Sequence, residues 1–462
     1  AFVVAKRRIE RGDDIVEPAY PEPPTSSQVT AGPGSTVAFD TIGKEGRRFV
    51  LMALTAGEIS AVMNEPAQDP IRIVGGYEAA PTTEERAQVC FREMESIGAF
   101  DRSLICVASP TGVGYVSYTF VESLEYLTRG DCATVIPQYA LVPSAMALFD
   151  TADGVALQRR VLELARDRIA QLPPDRRPKL VQFGESLGAQ VALDVAYPAG
   201  AAEFDELGLD AGLYLGVPFR SASWNSWWNA RNLFDPQERL LLVADSEVLS
   251  ERAPDLPTTP KHVMVVHDDD PVNKFSYRLV VRPPWWMGPP KTRPPKVPRE
   301  TIWRPVTTFV LTIIDLLNGM DFKPGEFIRK GHDYRMDSRG ATAVTFGLPC
   351  RDEQADAIFA SIDALAGTVR SLAGTTPSSS GPSLRSTNIK DNDEKFVPPR
   401  EMLRELMDDN KTTIVAMRKA HEVADKYNDS ATASILENFI DAAERRTWFL
   451  FEASRQEGGN EA

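Results

Sequence analysis

Three widely separated positions carry side chains that together could perform acyl transfer. Ser186 lies in Gly184-Glu185-Ser186-Leu187-Gly188, Asp270 in His267-Asp268-Asp269-Asp270-Pro271-Val272, and His332 in Gly331-His332-Asp333-Tyr334. A serine hydroxyl is a weak nucleophile until a base takes its proton. Imidazole is such a base near neutral pH, and a buried carboxylate behind it selects the useful tautomer. Chain order supports the grouping, because Ser, Asp and His each follow a segment that reads as strand or helix.

The serine motif is the most informative of the three. Leu180 to Phe183 is a short apolar run suited to a buried strand, and Leu187 to Val195 has helical spacing with Leu187, Val191, Ala192 and Val195 on one face. A sharp strand-to-helix turn leaves little space beside the serine, so glycines flank it. The turn lifts the Ser186 hydroxyl clear and aims the Leu187 N–H at a developing oxyanion. Ser109-Pro110-Thr111-Gly112-Val113-Gly114 follows an earlier strand, and an N–H near Thr111 is the expected second donor; a plain turn is the competing reading. Three consecutive Asp residues would otherwise form a solvated turn. The chain has four histidines, His262, His267, His332 and His421. Of these, His332 alone is a loop histidine downstream of the acid.

The elements that must hold these groups follow from periodicity. Apolar runs at 71–75, 104–108, 134–138, 180–183, 212–217 and 262–266 read as strands. They alternate with helical patterns at 84–97, behind Thr82 and Thr83 as caps, and at 156–172. Such alternation predicts an α/β fold with a doubly wound, mostly parallel sheet whose ligands sit at the carboxyl ends of the strands. Residues 1–37 read as an extended lead-in, 38–350 as the catalytic domain and 351–462 as a separate helical segment.

Composition bounds the function. The 462 residues are 43% hydrophobic and 25% charged, with net charge −14. An acidic chain of this kind argues against nucleic acid as a partner. Cys90, Cys106, Cys132 and Cys350 lack metal-binding or disulfide spacing and are expected to be inert thiols. No stretch is long and apolar enough to span a bilayer. Ala1 to Ala5 followed by Lys6-Arg7-Arg8 reads either as the end of a membrane helix with cytoplasmic basic residues or as a fragment boundary. The Pro-rich, basic stretch 282–296 carries Trp285 and Trp286. With Trp224, Trp227, Trp228 and Trp303 it puts six of the seven tryptophans between the serine and His332, near the expected mouth. Packing of a long excursion is the favoured role for them, an acyl-accepting lid the alternative.

Several stretches resemble a bacterial α/β-hydrolase family over roughly residues 38–345. They are Thr41 to Val50, Gly98 to Ser103, Ser109 to Gly112, Leu172 to Leu180 and Gly184 to Gly188. The resemblance implies serine hydrolase chemistry on esters, without metal or organic cofactor. Its Asp-Pro-Val motif selects Asp270 over Asp268 and Asp269, and its Gly-His-x-Tyr motif matches Gly331 to Tyr334. Because the catalytic domain of that family commonly follows a bundle of membrane helices, a membrane surface at the cytoplasmic face and an ester or lipid-like substrate are the expected partners.

Residues 351–456 resemble the later half of Dps-type miniferritins, in Asp352 to Asp356, Gly374 to Thr376, Ile389 to Asp393, Phe396 to Glu405 and Glu444 to Leu450. The iron-binding first helix of that family has no counterpart. Asp363 matches one ligand, while Gly367 replaces the Glu one turn later, so no iron oxidation is expected. An incomplete bundle exposes an apolar groove that invites self-association or docking onto the hydrolase domain. A ferritin-like iron- or DNA-associated protein and a non-catalytic binding module are the alternatives to the ester hydrolase.

Overall fold

The computed structural model describes residues 22–141, 151–253, 261–288, 293–318, 329–349 and 399–426. Two compact units hold them, one containing everything from 22 to 349 and the other the helix Pro399–Lys426. Most of the helical segment expected over 351–462, Asp363 and Gly367 among it, lies outside the described residues, as do Cys350 and the first eight residues.

Seven strands form the sheet of the first unit. They are β1 (Ile71–Gly75), β2 (Leu104–Ser109), β3 (Cys132–Pro137), β4 (Lys179–Glu185), β5 (Ala211–Leu215), β6 (Leu240–Val243) and β7 (His262–Val265). All pair in parallel, in the order β1-β3-β2-β4-β5-β7-β6. Parallel strands covered by helices on both faces read as unbroken apolar runs, and β1, β2 and β3 are buried at every residue. Along β2 the side chains alternate between two cores: Ile105 and Val107 enter one, Leu104, Cys106 and Ala108 the other. The first core lies against helices Thr83–Ile97, Thr151–Ala170 and Leu187–Asp194. The second lies against Tyr118–Thr128 and Arg335–Phe346.

Local chemistry sets the element ends. Thr82 accepts the Glu85 N–H as N-cap of Thr83–Ile97, and Gly98 closes that helix at φ 85°. The sheet edge is tied by a buried ion pair, in which Arg72 of β1 donates to both oxygens of Glu125 at 2.6 and 2.8 Å. β6 is a strand that the sequence reading does not include. It sits at the opposite edge, where Leu241 and Leu242 are only partly buried. Within the lead-in, Val29 bridges Arg72 and is buried, so residues around it add to the β1 edge.

Cys90, Cys106 and Cys132 are free and buried, and burial pushes the Cys90 and Cys132 thiols up to about 12. Trp224, Trp227 and Trp286 are buried, while Trp228 remains 40% exposed. Trp285 lies 4.2 Å from Trp228, centroid to centroid, so the tryptophans of the excursion and of helix Ala222–Phe234 pack on each other.

Candidate active site

Ser186 occupies the turn between β4 and helix Leu187–Asp194 with φ 56° and ψ −123°. A side chain in this region costs about 1–3 kcal/mol, which the surrounding structure must hold. The Ser186 N–H donates to the Leu215 carbonyl at 2.9 Å, fastening the turn to the end of β5. Both flanking glycines are obligatory. A Cβ on Gly184 would lie 2.3 Å from the Gly188 carbonyl oxygen, and one on Gly188 would lie 2.3 Å from that of Ser109.

That second approach brings the end of β2, and the loop leaving it, against the serine helix. In this loop the Thr111 N–H donates to the Tyr115 carbonyl at 2.8 Å. The expectation that Thr111 itself supplies an oxyanion donor is therefore corrected, because its amide hydrogen is already engaged in closing the turn. Gly112 and Val113 follow it with amides that donate to no carbonyl among the described residues. Leu187 opens its helix, where the first N–H groups have no partner within the helix.

Asp270 caps the four-residue helix Pro271–Lys274 at the exit of β7 and is fully buried. One oxygen, Oδ1, accepts the Val272 N–H at 2.8 Å. The other, Oδ2, lies 2.9 Å from His332 Nδ1 and accepts the Tyr334 hydroxyl at 2.7 Å. Since both oxygens face donors, the carboxylate is ionised and Nδ1 carries a hydrogen. Burial alone would raise the Asp270 carboxyl, but the His332 charge and the bonds from His332 and Tyr334 outweigh it and hold it below the usual range. For His332 burial pulls down, while Asp270, then Glu185 and Asp333, push up, leaving the imidazole above its ordinary value.

His332 Nε2 is buried and has no hydrogen-bond partner among the described residues, the Ser186 hydroxyl included. The two residues nonetheless adjoin the same turn. Gly216, directly after the Leu215 that holds Ser186, takes φ 61°, and a Cβ there would come within 2.7 Å of His332 Cε1. Asp270 and His332 are thus brought together by direct contact, and Ser186 reaches their neighbourhood through the end of β5. Catalytic hydrogen bonds are often long before substrate binds.

Further residues shape this rim. Tyr334 accepts the His267 N–H at 3.0 Å, joining the Asp270 loop to the His332 loop. His267 places Nδ1 2.9 Å from the Gly331 carbonyl and Nε2 2.9 Å from Asp337 Oδ2, with no exposure of either side chain. Lys274 donates to the His267 carbonyl at 3.1 Å and sits over the Trp285 ring. Burial pulls its ammonium down to about 8 against the pull of Asp270, Asp268 and Asp269. Glu185 has a buried oxygen without a partner; burial pushes its carboxyl up, opposed by Ser117 and His332. Sequence reasoning quotes Glu185 and Tyr334 only as motif letters. Their signal was their position, one residue before Ser186 and two after His332.

The parallel sheet, the glycine-flanked turn on its central strand and the acid–histidine pair at its rim define an α/β-hydrolase domain. A family model for the alpha/beta-hydrolase family matches residues 71–349, and a ferritin-like domain model matches residues 351–455. The chain belongs to the α/β-hydrolase family, which the match over more than half of its length shows. Comparison with curated proteins and with solved structures finds no match. Among the described residues, no cluster of His, Cys, Asp and Glu is arranged to hold a metal, and no helix is long and apolar enough to cross a membrane.

Proposed function

We propose that the hydrolase domain cleaves carboxylic esters with Ser186 as nucleophile. The observation that carries this reading is the buried Asp270–His332 bond, which leaves His332 Nε2 unpartnered beside the turn that holds Ser186. Ser186 Oγ attacks the ester carbonyl carbon while its proton moves to Nε2. The charge formed on His332 is balanced by ionised Asp270. The oxyanion is met by the Leu187 N–H and by an amide of the Gly112–Val113 turn, each such donor typically contributing about 3–4 kcal/mol. Nε2 then returns the proton to the departing alkoxide, leaving an acyl-serine. Water, deprotonated by the same nitrogen, releases the acid and restores Ser186. No step calls on a metal or organic cofactor.

A fluorophosphonate label mapped to the Ser186 peptide, together with hydrolysis of a chromogenic short-chain ester that is abolished in Ser186→Ala, is the expected outcome. Intact folding without labelling would instead mark a binding module that has kept the fold. Iron uptake with an oxidation signal would favour the ferritin-like domain as the active part.

A further inference from the structure

Among the described residues of the first unit, seven of the ten large apolar side chains left exposed lie between Tyr277 and Ile314. This stretch includes the helix Thr307–Asn318, in which seven of the twelve residues are apolar. Phe309, Ile313 and Leu316 turn inward onto a small core of Phe275, Leu279, Trp286 and Met287. Val310, Leu311 and Ile314 face the other way and are about half exposed. A helix that is apolar on both sides is one whose outer side also expects cover.

The platform beneath is braced. Trp286 Nε1 donates to the Lys274 carbonyl at 2.9 Å, and Trp303 Nε1 donates to that of Leu279 at 3.0 Å. Arg293 points inward, donating to the Gly288 and Thr301 carbonyls, which gathers the strap before the helix.

Charge decides what would cover this face. Arg278, Arg282, Arg299 and Arg304 are exposed in the same stretch, and none has a carboxylate within ion-pair distance among the described residues. Exposed Glu300 and Asp315 are the acids there. This local basic excess belongs to a chain of net charge −14, which an anionic surface would otherwise repel. At ordinary salt the field falls off over about 10 Å, so the patch nearest the surface governs the encounter and the remaining negative charge orients it. Apolar side chains interleaved with unpaired arginines match an interface of acyl chains beneath phosphate head groups. A nucleic-acid backbone would leave the apolar groups uncovered.

We infer that the face formed by residues 277–288 and 293–304 and the outer side of helix Thr307–Asn318 docks on an anionic lipid surface. The inference stands whether or not Ser186 is the nucleophile, because binding is read without turnover. Full-length Ser186→Ala protein is sedimented with phosphatidylcholine vesicles, with and without phosphatidylserine. Binding is expected to require phosphatidylserine and to weaken as salt rises. Substituting Arg282→Gln together with Arg304→Gln should weaken it roughly tenfold or more. Leu311→Ser with Ile314→Ser should also weaken it while the circular dichroism spectrum is unchanged.

Equal binding to both vesicle types, or none, overturns the inference. So does a lipid-free dimer that Leu311→Glu dissociates, which would make a second copy the occupant. Failure of a Leu311→Cys thiol to react with a soluble reagent in the native chain would likewise overturn it, placing another part of the chain over the face.

Discussion

The Tyr334 hydroxyl lies 2.7 Å from Asp270 Oδ2, the same oxygen that faces His332 Nδ1 at 2.9 Å. Tyr334 thereby shares the acid with the histidine two residues before it, and its own oxygen receives the His267 N–H. Tyr334→Phe removes a donor to a charged oxygen and strands a buried amide. A loss of about 1–3 kcal/mol is expected, read as a lower midpoint in urea with unchanged slope.

Ester hydrolysis should rise with pH through the His332 ionisation, because only the neutral ring accepts the serine proton. That ionisation is raised above the ordinary value of 6.5 despite burial, chiefly by Asp270. The acid limb of kcat/KM for a non-ionising ester should therefore have its midpoint above 6.5. Asp270→Asn removes both the charge and the tautomer lock, and kcat should fall on the order of 10⁴-fold.

Glu185 tests a second contribution to the same limb. Its charge adds to that of Asp270 in holding His332 up. Glu185→Gln should move the acid limb to lower pH while fluorophosphonate labelling persists. An unmoved limb would mean that burial keeps Glu185 neutral when the enzyme works.

Asp337 anchors His267 from the helix that follows the His332 loop. Burial pushes its carboxyl up, but the His267 hydrogen bond and charge prevail and hold it below the ordinary 3.8. Its contribution to stability is thus complete above pH 3.8 and is lost as pH falls through the lower folded value. Asp337→Ala leaves His267 without its counter-group and should cost about 3–5 kcal/mol in chemical denaturation at neutral pH.

Gly188→Ala places a methyl group 2.3 Å from the Ser109 carbonyl oxygen, where only backbone can yield. A destabilisation of about 1–3 kcal/mol is expected, with activity lost more steeply than stability as the turn shifts. Urea titration alongside ester turnover separates the two.

Much of the sheet was legible because parallel strands buried on both faces must be apolar at nearly every residue. Ile71–Gly75 coincides with its run, and Leu104–Ser109 and His262–Val265 differ from theirs by one residue. Leu240–Val243 escaped, although it is apolar throughout, because a run of four residues is too short for periodicity to tell a strand from a turn of buried helix. Helix Thr83–Ile97 was readable through its Thr82 cap. The closing helix Arg335–Phe346 runs for 12 residues before Gly347.

Residue types, their order and their place at element ends pointed to Ser186, His332 and the acidic turn between them, and the family resemblance picked Asp270 within that turn, since glycine spacing and apolar periodicity are local properties. Hydrogen-bond partners were beyond their reach. That the Thr111 amide closes onto Tyr115 depends on the turn its loop adopts, and that Tyr334 shares the Asp270 oxygen with His332 depends on loops converging from different strands. A one-dimensional pattern states which groups exist and which face of an element they share. Only the packed sheet, by bringing the ends of β2, β5 and β7 to one rim, decides which donor meets which acceptor.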